Sequence, residues 1–416
     1  MLRGVFLLAF LPALALANWP QHRGPDGQGH SAAKDLPLEW SETKNVTWKT
    51  DIPGLGWSSP VLADGKIYLT TAVTRGGGDW TKADRTLHAV CLDAVSGEIL
   101  WNKTVFEIKG SDWPPIHKKN SHASATPVIE GDRIYFHYGF QGTACLDSSG
   151  KEIWKTTDLR YAAIHGSGGS PIIVGDKLIF GCDGRHEASI AAVDKRTGNT
   201  LWQTERNTSA RRKFSFATPL ATHVNGKTQV ISPSSGAVIA YKPENGDELW
   251  RVDYDQGYSV VPRPVVGDGM VFVSSGYDRA VVHAIKLGGA KGDVTDTHLV
   301  WDTAKSAPRN ASMLVVGSEL YFVSDSGVAT CADAATGKVH WQERVGSTTS
   351  ASPLHAAGRV YFQDERGTST IVVAGTKFQV LAENKLPGRI FASFAVDEAN
   401  SALFIRNENA LYRIEE

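Results

Sequence analysis

Short apolar segments alternate with turn-forming residues along almost the whole chain, a pattern typical of antiparallel β proteins. One segment, rich in the β-branched and aromatic residues that favour strands, recurs eight times. Its copies are KIYLTTA (66–72), RIYFHYG (133–139), KLIFGCD (177–183), TQVISPS (228–234), MVFVSSG (270–276), ELYFVSD (319–325), RVYFQDE (359–365) and ALFIRNE (402–408). We therefore predict eight repeated units, each with this segment as a strand, called strand B.

A second segment precedes each strand B and predicts a strand A. It combines a small residue with proline in most copies, and proline is tolerated at the first residue of a strand. The copies are SSPVL (58–62), ATPVI (125–129), GSPII (169–173), ATPLA (217–221), PRPVV (262–266), ASMLV (311–315), ASPLH (351–355) and ASFAV (392–396).

A third motif follows strand B and places a glycine four residues before a tryptophan. It occurs as LDAVSGEILW (92–101), LDSSGKEIW (146–154), VDKRTGNTLW (193–202), YKPENGDELW (241–250) and ADAATGKVHW (332–341). Aspartate can accept backbone N–H bonds two residues on, and glycine tolerates positive φ. The motif therefore predicts a tight turn between strands C and D, with the tryptophan on the outermost strand, packed against the neighbouring unit.

Four strands in a unit of about 50 residues predict an all-β fold, an eight-bladed β-propeller. The strand D position carries Trp101, Trp154, Trp202, Trp250, Trp301 and Trp341 in blades 1 to 6, and Leu381 in blade 7. The last unit, at about 391–416, ends after strand C. We predict that the N-terminal strand at about 45–50, with Trp48 in the tryptophan position, completes this blade, so that 18–416 forms a single propeller without a free sheet edge.

The first 17 residues have the features of a secretory signal peptide. Arg3 precedes an apolar stretch, Gly4–Leu14, which is shorter than the ~20 residues of a membrane span. Ala15 and Ala17 form a small-x-small cleavage site, so we expect removal of 1–17 and a periplasmic or secreted protein. No cysteine follows this site directly, so the sequence does not predict a lipid anchor. No later stretch predicts a transmembrane segment.

Bulk composition narrows the possible partners and covalent links. The net charge is −1, which gives no reason to expect nucleic acid as a partner, and we expect a monomer. Cys91, Cys145 and Cys331 occupy the same place in the repeat, so they should lie in different blades. Buried free thiols are favoured over disulfides in this exported chain, although a disulfide stays open. No zinc-type spacing occurs.

Candidate binding residues come directly before each strand A, where the D-to-A loops should surround the mouth of the central channel. The irregular insertions 75–84 and 106–120 should lie on the same face. The expected mouth residues are Trp57, His122, His165, Arg212, Tyr258, Arg309, Asn310 and Arg389. Positive charge at a concave mouth attracts anions. We predict a carboxylate-bearing ligand or acidic peptide there; the alternative is that these groups only solvate the loops or pair with nearby acids. We predict no metal site, since a metal held by His117, His122 and His165 is the weaker interpretation.

The glycine–tryptophan motif resembles the tryptophan docking motif, A-x-D-x-x-T-G-x-x-x-W, of pyrroloquinoline-quinone-like (BamB-like) propeller repeats. WPQHRGPDGQG (19–29) is similar to the start of exported bacterial proteins of this group. The group includes quinoprotein alcohol dehydrogenases and the non-catalytic outer-membrane assembly propeller BamB, so the motif indicates the fold better than the function.

The resemblance implies two functions that can be compared on the sequence. The dehydrogenases use a disulfide of adjacent cysteines over the quinone, a calcium ion with Glu and Asn ligands, and an aspartate base. None of these has a match here. We therefore predict an exported, non-catalytic propeller that binds an envelope protein or an acidic ligand as a scaffold and needs no cofactor. The alternative is an oxidoreductase or cofactor carrier that binds pyrroloquinoline quinone.

Overall fold

The computed structural model describes residues 19–75, 83–112, 116–254 and 257–416. The predicted signal peptide, 1–17, and parts of the two predicted insertions, 76–82 and 113–115, lie outside these residues. The described chain forms eight antiparallel sheets in a ring, which confirms the predicted eight-bladed β-propeller. Its helical structure is confined to α1 (Thr295–His298) and two 3₁₀ turns, Gly110–Asp112 and Gly139–Gln141.

The strands follow the predicted A-B-C-D order, from the channel outwards, in every blade. The first strand along the chain is β1 (Val46–Asp51), which belongs to blade 8. Blades 1 and 2 contain β2 (Val61–Ala63), β3 (Lys66–Thr74), β4 (Arg85–Asp93), β5 (Ile99–Ile108), β6 (Val128–Glu130), β7 (Arg133–His137), β8 (Thr143–Asp147) and β9 (Glu152–Thr156). Blades 3 and 4 contain β10 (Ile172–Val174), β11 (Lys177–Asp183), β12 (Ala188–Asp194), β13 (Thr200–Glu205), β14 (Leu220–Val224), β15 (Lys227–Ser234), β16 (Ala237–Tyr241) and β17 (Glu248–Asp253).

The second half of the ring repeats this arrangement with one addition. Blades 5 and 6 contain β18 (Val265–Gly267), β19 (Met270–Ser274), β20 (Val282–Lys286), β22 (Leu299–Thr303), β23 (Leu314–Val316), β24 (Glu319–Val323), β25 (Val328–Asp333) and β26 (Val339–Arg344). Blade 7 and the rest of blade 8 contain β27 (Leu354–Ala356), β28 (Arg359–Gln363), β29 (Thr368–Val373), β30 (Val380–Lys385), β31 (Ala395–Asp397), β32 (Ala402–Arg406) and β33 (Ala410–Ile414). The addition is β21 (Gly292–Asp293), which joins the outer edge of blade 4.

Blade 8 is built from both ends of the described chain. Strand β1 pairs antiparallel with β33, with Trp48 opposite Arg413 and Asp51 opposite Ala410. Strand β33 in turn pairs with β32. The predicted closure of the ring by the N-terminal strand is therefore confirmed, and the backbone groups of β33 find partners on both sides.

Six of the seven tryptophans in the strand D position lie against the turn of the next blade. The indole N–H of Trp154 donates to the carbonyl of Lys195, at 3.1 Å. Gly198, in the same turn, has φ 78°, and a Cβ there would lie 2.6 Å from the Trp154 ring. The equivalent indole-to-carbonyl bonds are Trp48 to Ala94, Trp101 to Ser148, Trp202 to Pro243, Trp301 to Ala334 and Trp341 to Gly375. One motif therefore serves two interfaces, because its glycine receives the preceding blade's tryptophan and its own tryptophan reaches the following blade.

Trp250 departs from this pattern. Its N–H donates to the side-chain oxygen of Gln229 in its own blade, at 2.8 Å. Blade 5 has a longer segment in place of the tight turn, and Gly292 of that segment pairs with Trp250 in a parallel bridge. Trp250 is thereby fully buried.

Blade 7 also differs from the sequence prediction, which placed Leu381 in the tryptophan position. Ala382 lies opposite Ile371, in the register that puts Trp341 opposite Cys331 in blade 6. The prediction was wrong by one residue, because the turn between strands C and D is one residue longer in blade 7, where Val372 pairs with Val380, than in blade 6, where Ala332 pairs with Val339.

Residues 19–31, which we call the plug, cross the channel and bond to the inner strands. Trp19 exchanges two backbone hydrogen bonds with Leu62 of blade 1. Further along the plug, the N–H of His355 in blade 7 donates to the carbonyl of Gly29. His30 contacts Asp26 through Nδ1 at 2.5 Å and the carbonyl of Val315, in blade 6, through Nε2 at 2.6 Å. The plug thus holds together blades that are far apart in the ring.

The glycine of the repeated turn should be irreplaceable for two separable reasons. Gly198→Ala should destabilise the fold more than Gly226→Ala. Both glycines have positive φ, but a Cβ at Gly226 meets nothing within 4 Å. A side chain in this conformation costs about 1–2 kcal/mol, and overlap with the Trp154 ring should add about 1–3 kcal/mol. Urea unfolding of the two variants measures the difference; equal losses would show that the glycine–indole contact does not matter.

The plug should hold most firmly at mildly acidic pH. Burial lowers the pKa of His30, but the hydrogen bonds to Asp26 and Val315 outweigh this effect, and the pKa lies above its usual 6.5. Burial raises the pKa of Asp26, but the hydrogen bond to His30 acts in the other direction, and the pKa lies below its usual 3.8. The stability that His30 contributes is fully present below pH 6.5 and is lost as the pH rises through the raised pKa of the folded state. The stability that Asp26 contributes is lost in strong acid, where its carboxylate is protonated.

Thermal unfolding of the wild type and His30→Gln tests this dependence. The stability difference should be largest between about pH 4 and 6.5 and should shrink towards pH 9. His186→Gln, at an exposed loop position, is the control and should change the stability by no more than about 0.5 kcal/mol. A His30→Gln penalty that grows above pH 7 would contradict the assignment.

Candidate functional site

A cavity of about 640 Å³ opens on the face where the D-to-A and B-to-C loops meet. We call it the mouth cavity. Its floor includes His22 of the plug, so the channel is blocked below it. The lining combines the small residues before each strand A with larger side chains from the loops above, as the repeat topology requires.

Seven hydroxyl groups form a ring around the lower part of this cavity. Each accepts the backbone N–H of the residue at the same repeat position in an adjacent blade, at 2.9–3.0 Å. The members of this hydroxyl ring are Ser59, Thr126, Ser170, Thr218, Ser312, Ser352 and Ser393, and all of them line the cavity. The small residue of the strand A marker therefore links the blades on the inside, as the tryptophan does on the outside.

Arg263 takes the hydroxyl position in blade 5. Its backbone N–H still donates to Ser312. Its guanidinium turns to the plug instead, where it donates to the carbonyl of His22 at 2.7 Å and to Gln21. A Cβ on Gly27 would lie 2.4 Å from this guanidinium, so glycine is needed where the plug backbone passes. The PRP sequence of blade 5 thus marks the anchor of the plug.

Aromatic rings line one side of the mouth cavity. His165 meets Phe214 edge-on with centroids 5.4 Å apart, and Phe214 meets Tyr258 in the same way at 5.5 Å. Tyr258 then contacts Tyr277, whose side chain is half exposed. On the opposite side, Trp57 packs on Phe391 with centroids at 4.5 Å. These rings give the cavity apolar walls above the hydroxyl ring.

The structure brings six of the eight sequence-predicted mouth residues into the cavity wall: Trp57, His165, Arg212, Tyr258, Arg309 and Asn310. The other two lie elsewhere. Burial, with Arg85 nearby, lowers the pKa of His122 to about 3, so this imidazole is a neutral packed group. Arg389 lies over the Trp57 ring, outside the cavity, and pairs with Glu408 at 2.8 Å.

Arg212 and Arg309 carry the positive charge of the rim. The Arg212 guanidinium lies 4.4 Å from the Tyr258 ring centroid, and that of Arg309 lies 5.1 Å from the Tyr277 centroid. Among the described residues, no salt bridge joins either arginine to a carboxylate. Cation–π contact orients these guanidinium groups while leaving N–H donors available.

The sequence prediction missed a connection across the mouth. Residues 116–120, which we call the strap, follow the outer strand of blade 1. Lys119 in the strap pairs with Glu365 of blade 7 at 2.8 Å and approaches Asp325 of blade 6 at 3.9 Å. Asn120 fixes the other side by donating to the carbonyl of His165, at 2.8 Å. The strap therefore spans the cavity, and its lysine pairs with Glu365 and lies close to Asp325.

The electrostatics of the mouth follow from burial and these neighbours. Burial raises the pKa of Asp325, while Lys119 opposes the shift. Burial and then the neighbouring charges of His117, Arg185 and Arg212 lower the pKa of His165, so it is neutral at pH 7. The net charge on the rim therefore comes from the arginines and not from histidine.

The described residues contain no group of three or more His, Cys, Asp or Glu side chains able to hold a metal. His117 and His165 lie together, with ring centroids 5.6 Å apart, but His122 does not join them. All four cysteines are buried free thiols within strands. A disulfide of adjacent cysteines like that of the quinone dehydrogenases is therefore not formed among the described residues.

The chain shares its sequence pattern with known envelope proteins. The family model for outer membrane protein assembly factor BamB matches residues 88–291 and 290–377. BamB from Burkholderia pseudomallei is 22% identical over 331 residues, 77% of either chain. BamB from Shewanella oneidensis is 22% identical over 305 residues, which are 65% of this chain and 69% of that protein.

Solved structures show the same architecture. BamB from Moraxella catarrhalis superposes with a TM-score of 0.61 at 15% identity, over 89% of this chain and 99% of that one. A europium-containing methanol dehydrogenase superposes with a TM-score of 0.55 at 11% identity, over 95% and 91% of the two chains. At such identities the likeness concerns the fold alone. The family model covers most of the eight blades, and on that evidence this chain belongs to the BamB family of pyrroloquinoline-quinone-like repeat propellers.

Proposed function

We propose that this chain is an exported, non-catalytic binding protein of the cell envelope that recognises a partner protein at the rim of the mouth cavity. Two observations support export and an envelope role: the signal-peptide pattern of 1–17 and the description of its relatives as outer membrane assembly factors. No helix in the described part of the chain is both long and apolar enough to cross a membrane.

The composition of the rim supports protein recognition. Arginine, tyrosine and tryptophan are the residues that most often dominate the energy of protein interfaces. Arg212, Arg309 and Tyr277 meet at one side of the rim, and Tyr277 is 51% exposed. The rings are held by their neighbours, so little side-chain entropy is lost when a partner binds.

The partner segment should be acidic. Lys119 pairs with Glu365 and lies close to Asp325, while no salt bridge joins Arg212 or Arg309 to a carboxylate among the described residues. A carboxylate from a partner can accept paired N–H bonds from a guanidinium group whose plane is already set by an aromatic ring. This unmatched pair of arginines is the observation that carries the proposal.

The alternative function, binding of pyrroloquinoline quinone, fits the residues poorly. Asp325 lines the cavity, but its carboxylate is already held by the side chain of Asn310 and the backbone N–H of Arg309. No second acid that could complete a calcium site lies beside it in the described cavity lining. The buried cysteines do not reach the cavity.

Neutralising the rim arginines should abolish partner binding. The double variant R212Q/R309Q should lose at least about 100-fold in affinity, because each charged hydrogen bond contributes about 1.5–3 kcal/mol. The control R211Q/R389Q also removes two positive charges. Arg211 is exposed and precedes Arg212 in the chain, and Arg389 already pairs with Glu408. Crosslinking in envelope extracts, followed by titration of the captured protein, measures both.

The test depends on comparing partner binding by the two double variants. A partner retained by the control and lost by R212Q/R309Q supports rim recognition. A partner bound equally by both double variants would place the interface elsewhere on the propeller and refute the proposal.

Calcium should neither strengthen the binding of pyrroloquinoline quinone nor change the quinone absorbance in a titration of the full mature chain. The residues expected to hold this pair are not assembled around the cavity. Calcium-dependent, saturable binding of the quinone would refute the non-catalytic assignment and favour the alternative.

A further inference from the structure

The floor of the mouth cavity is a surface of hydrogen-bond donors. Each hydroxyl of the ring already accepts one backbone N–H, and a hydroxyl carries one proton to donate as well. No hydrogen bond between described residues uses that proton at any of the seven positions. The O–H groups of Ser59, Ser170 and Ser352, for example, can therefore turn towards the channel without breaking the contacts between blades.

The plug and blade 5 each add a positive charge beneath these donors. Arg23 and Arg263 are buried, with side chains of 1% and 2% exposure. Asp26 is the plug's carboxylate, and it is engaged by His30. Burial, then Arg263 and Arg23, hold the pKa of His22 well below its usual 6.5, so a neutral imidazole lies on the floor beside two guanidinium groups. An anion on the floor would experience the positive potential of these groups in a site largely shielded from solvent.

The walls above the floor are suited to an apolar body. Phe214, Phe216, Trp57 and Phe391 line the cavity together with the hydroxyl ring. A volume of about 640 Å³ lies in the range of small-molecule sites, which combine mostly apolar walls with a few well-placed polar groups. The strap narrows the opening above, which favours a small molecule over a folded segment at this depth.

We propose that the floor of the mouth cavity is a binding site for a small organic acid, whose carboxylate lies against the hydroxyl ring above His22 and whose apolar or aromatic part lies between the aromatic walls. This site lies below the rim and goes beyond the protein-binding role. The two assignments use different residues, so either can fail without the other.

Benzoate is the probe for this site, and benzamide is its neutral match in shape. Calorimetric titration of the full mature chain should show saturable benzoate binding with a Kd at or below about 1 mM, and benzamide should bind at least about tenfold more weakly. No benzoate binding, or equal affinity for the two probes, would overturn the proposal.

Two substitutions of His22 locate the anion without disturbing the ring. The plug's contact with Arg263 uses the backbone carbonyl of His22, and not its side chain. His22→Glu places a carboxylate on the floor beside two arginines, where it should fold but reduce benzoate affinity at least about tenfold. His22→Gln adds no charge and should retain affinity to within about threefold. Equal affinity in the two variants would overturn the floor assignment.

The rim variant separates this site from the proposed function. R212Q/R309Q should lose the partner protein and keep benzoate binding, while His22→Glu should lose benzoate and keep the partner. Loss of benzoate in R212Q/R309Q with retention in His22→Glu would place the anion at the rim and refute the floor site.

Discussion

The architecture depends on the backbone pairing of β1 with β33, because this pairing joins the two ends of the described chain in blade 8 and closes the ring of sheets. Without it, β33 would present unpaired N–H and C=O groups on one side. The same pairing fixes the start of the described chain close to blade 8, and the plug lies only fifteen residues before β1. A mouth cavity with a closed floor follows from this single constraint: the ring surrounds the channel, and the tethered plug blocks it.

The N-terminal segment also compensates for an irregularity in the ring. Blade 7 has Ala382 where other blades have a tryptophan. Trp40 and Leu36, from the segment between the plug and β1, belong to the buried cluster that contains Ile371 of this blade and against which Ala382 packs. Asn384 of β30 donates to the carbonyl of Leu38 and accepts from the N–H of Trp40. The segment between the plug and β1 therefore packs against blade 7 where Ala382 replaces the tryptophan of the other blades.

The sequence predicted most of the fold because the determinants of a blade are local. A strand marker, a tight turn with Gly198 and a tryptophan four residues later repeat at short range, and their periodicity indicates the ring and its closure. The features it missed are pairings over long distances. Lys119 and Glu365 are 246 positions apart, and nothing in the spacing of either residue links them. Similarly, Arg389 counts as a free mouth cation until Glu408 is seen beside it. The short-range repeats thus predict on which face of the propeller a loop lies. The pairing of charged residues at the mouth depends instead on which loops come into contact in the folded protein.

Arg263 shows how one departure from the repeat changes the chemistry of the whole channel. A hydroxyl at this position would have completed the ring, but it could not have reached the plug. Arginine keeps the backbone bond to Ser312 and sends its guanidinium to the carbonyl of His22. The channel is then closed at one end, so a ligand can reach the floor only by passing the strap and the rim. An anion on that path meets exposed guanidinium groups first, then apolar walls, and finally the hydroxyl donors above two buried arginines, so that its charge is favoured at both ends of the path and its apolar part between them.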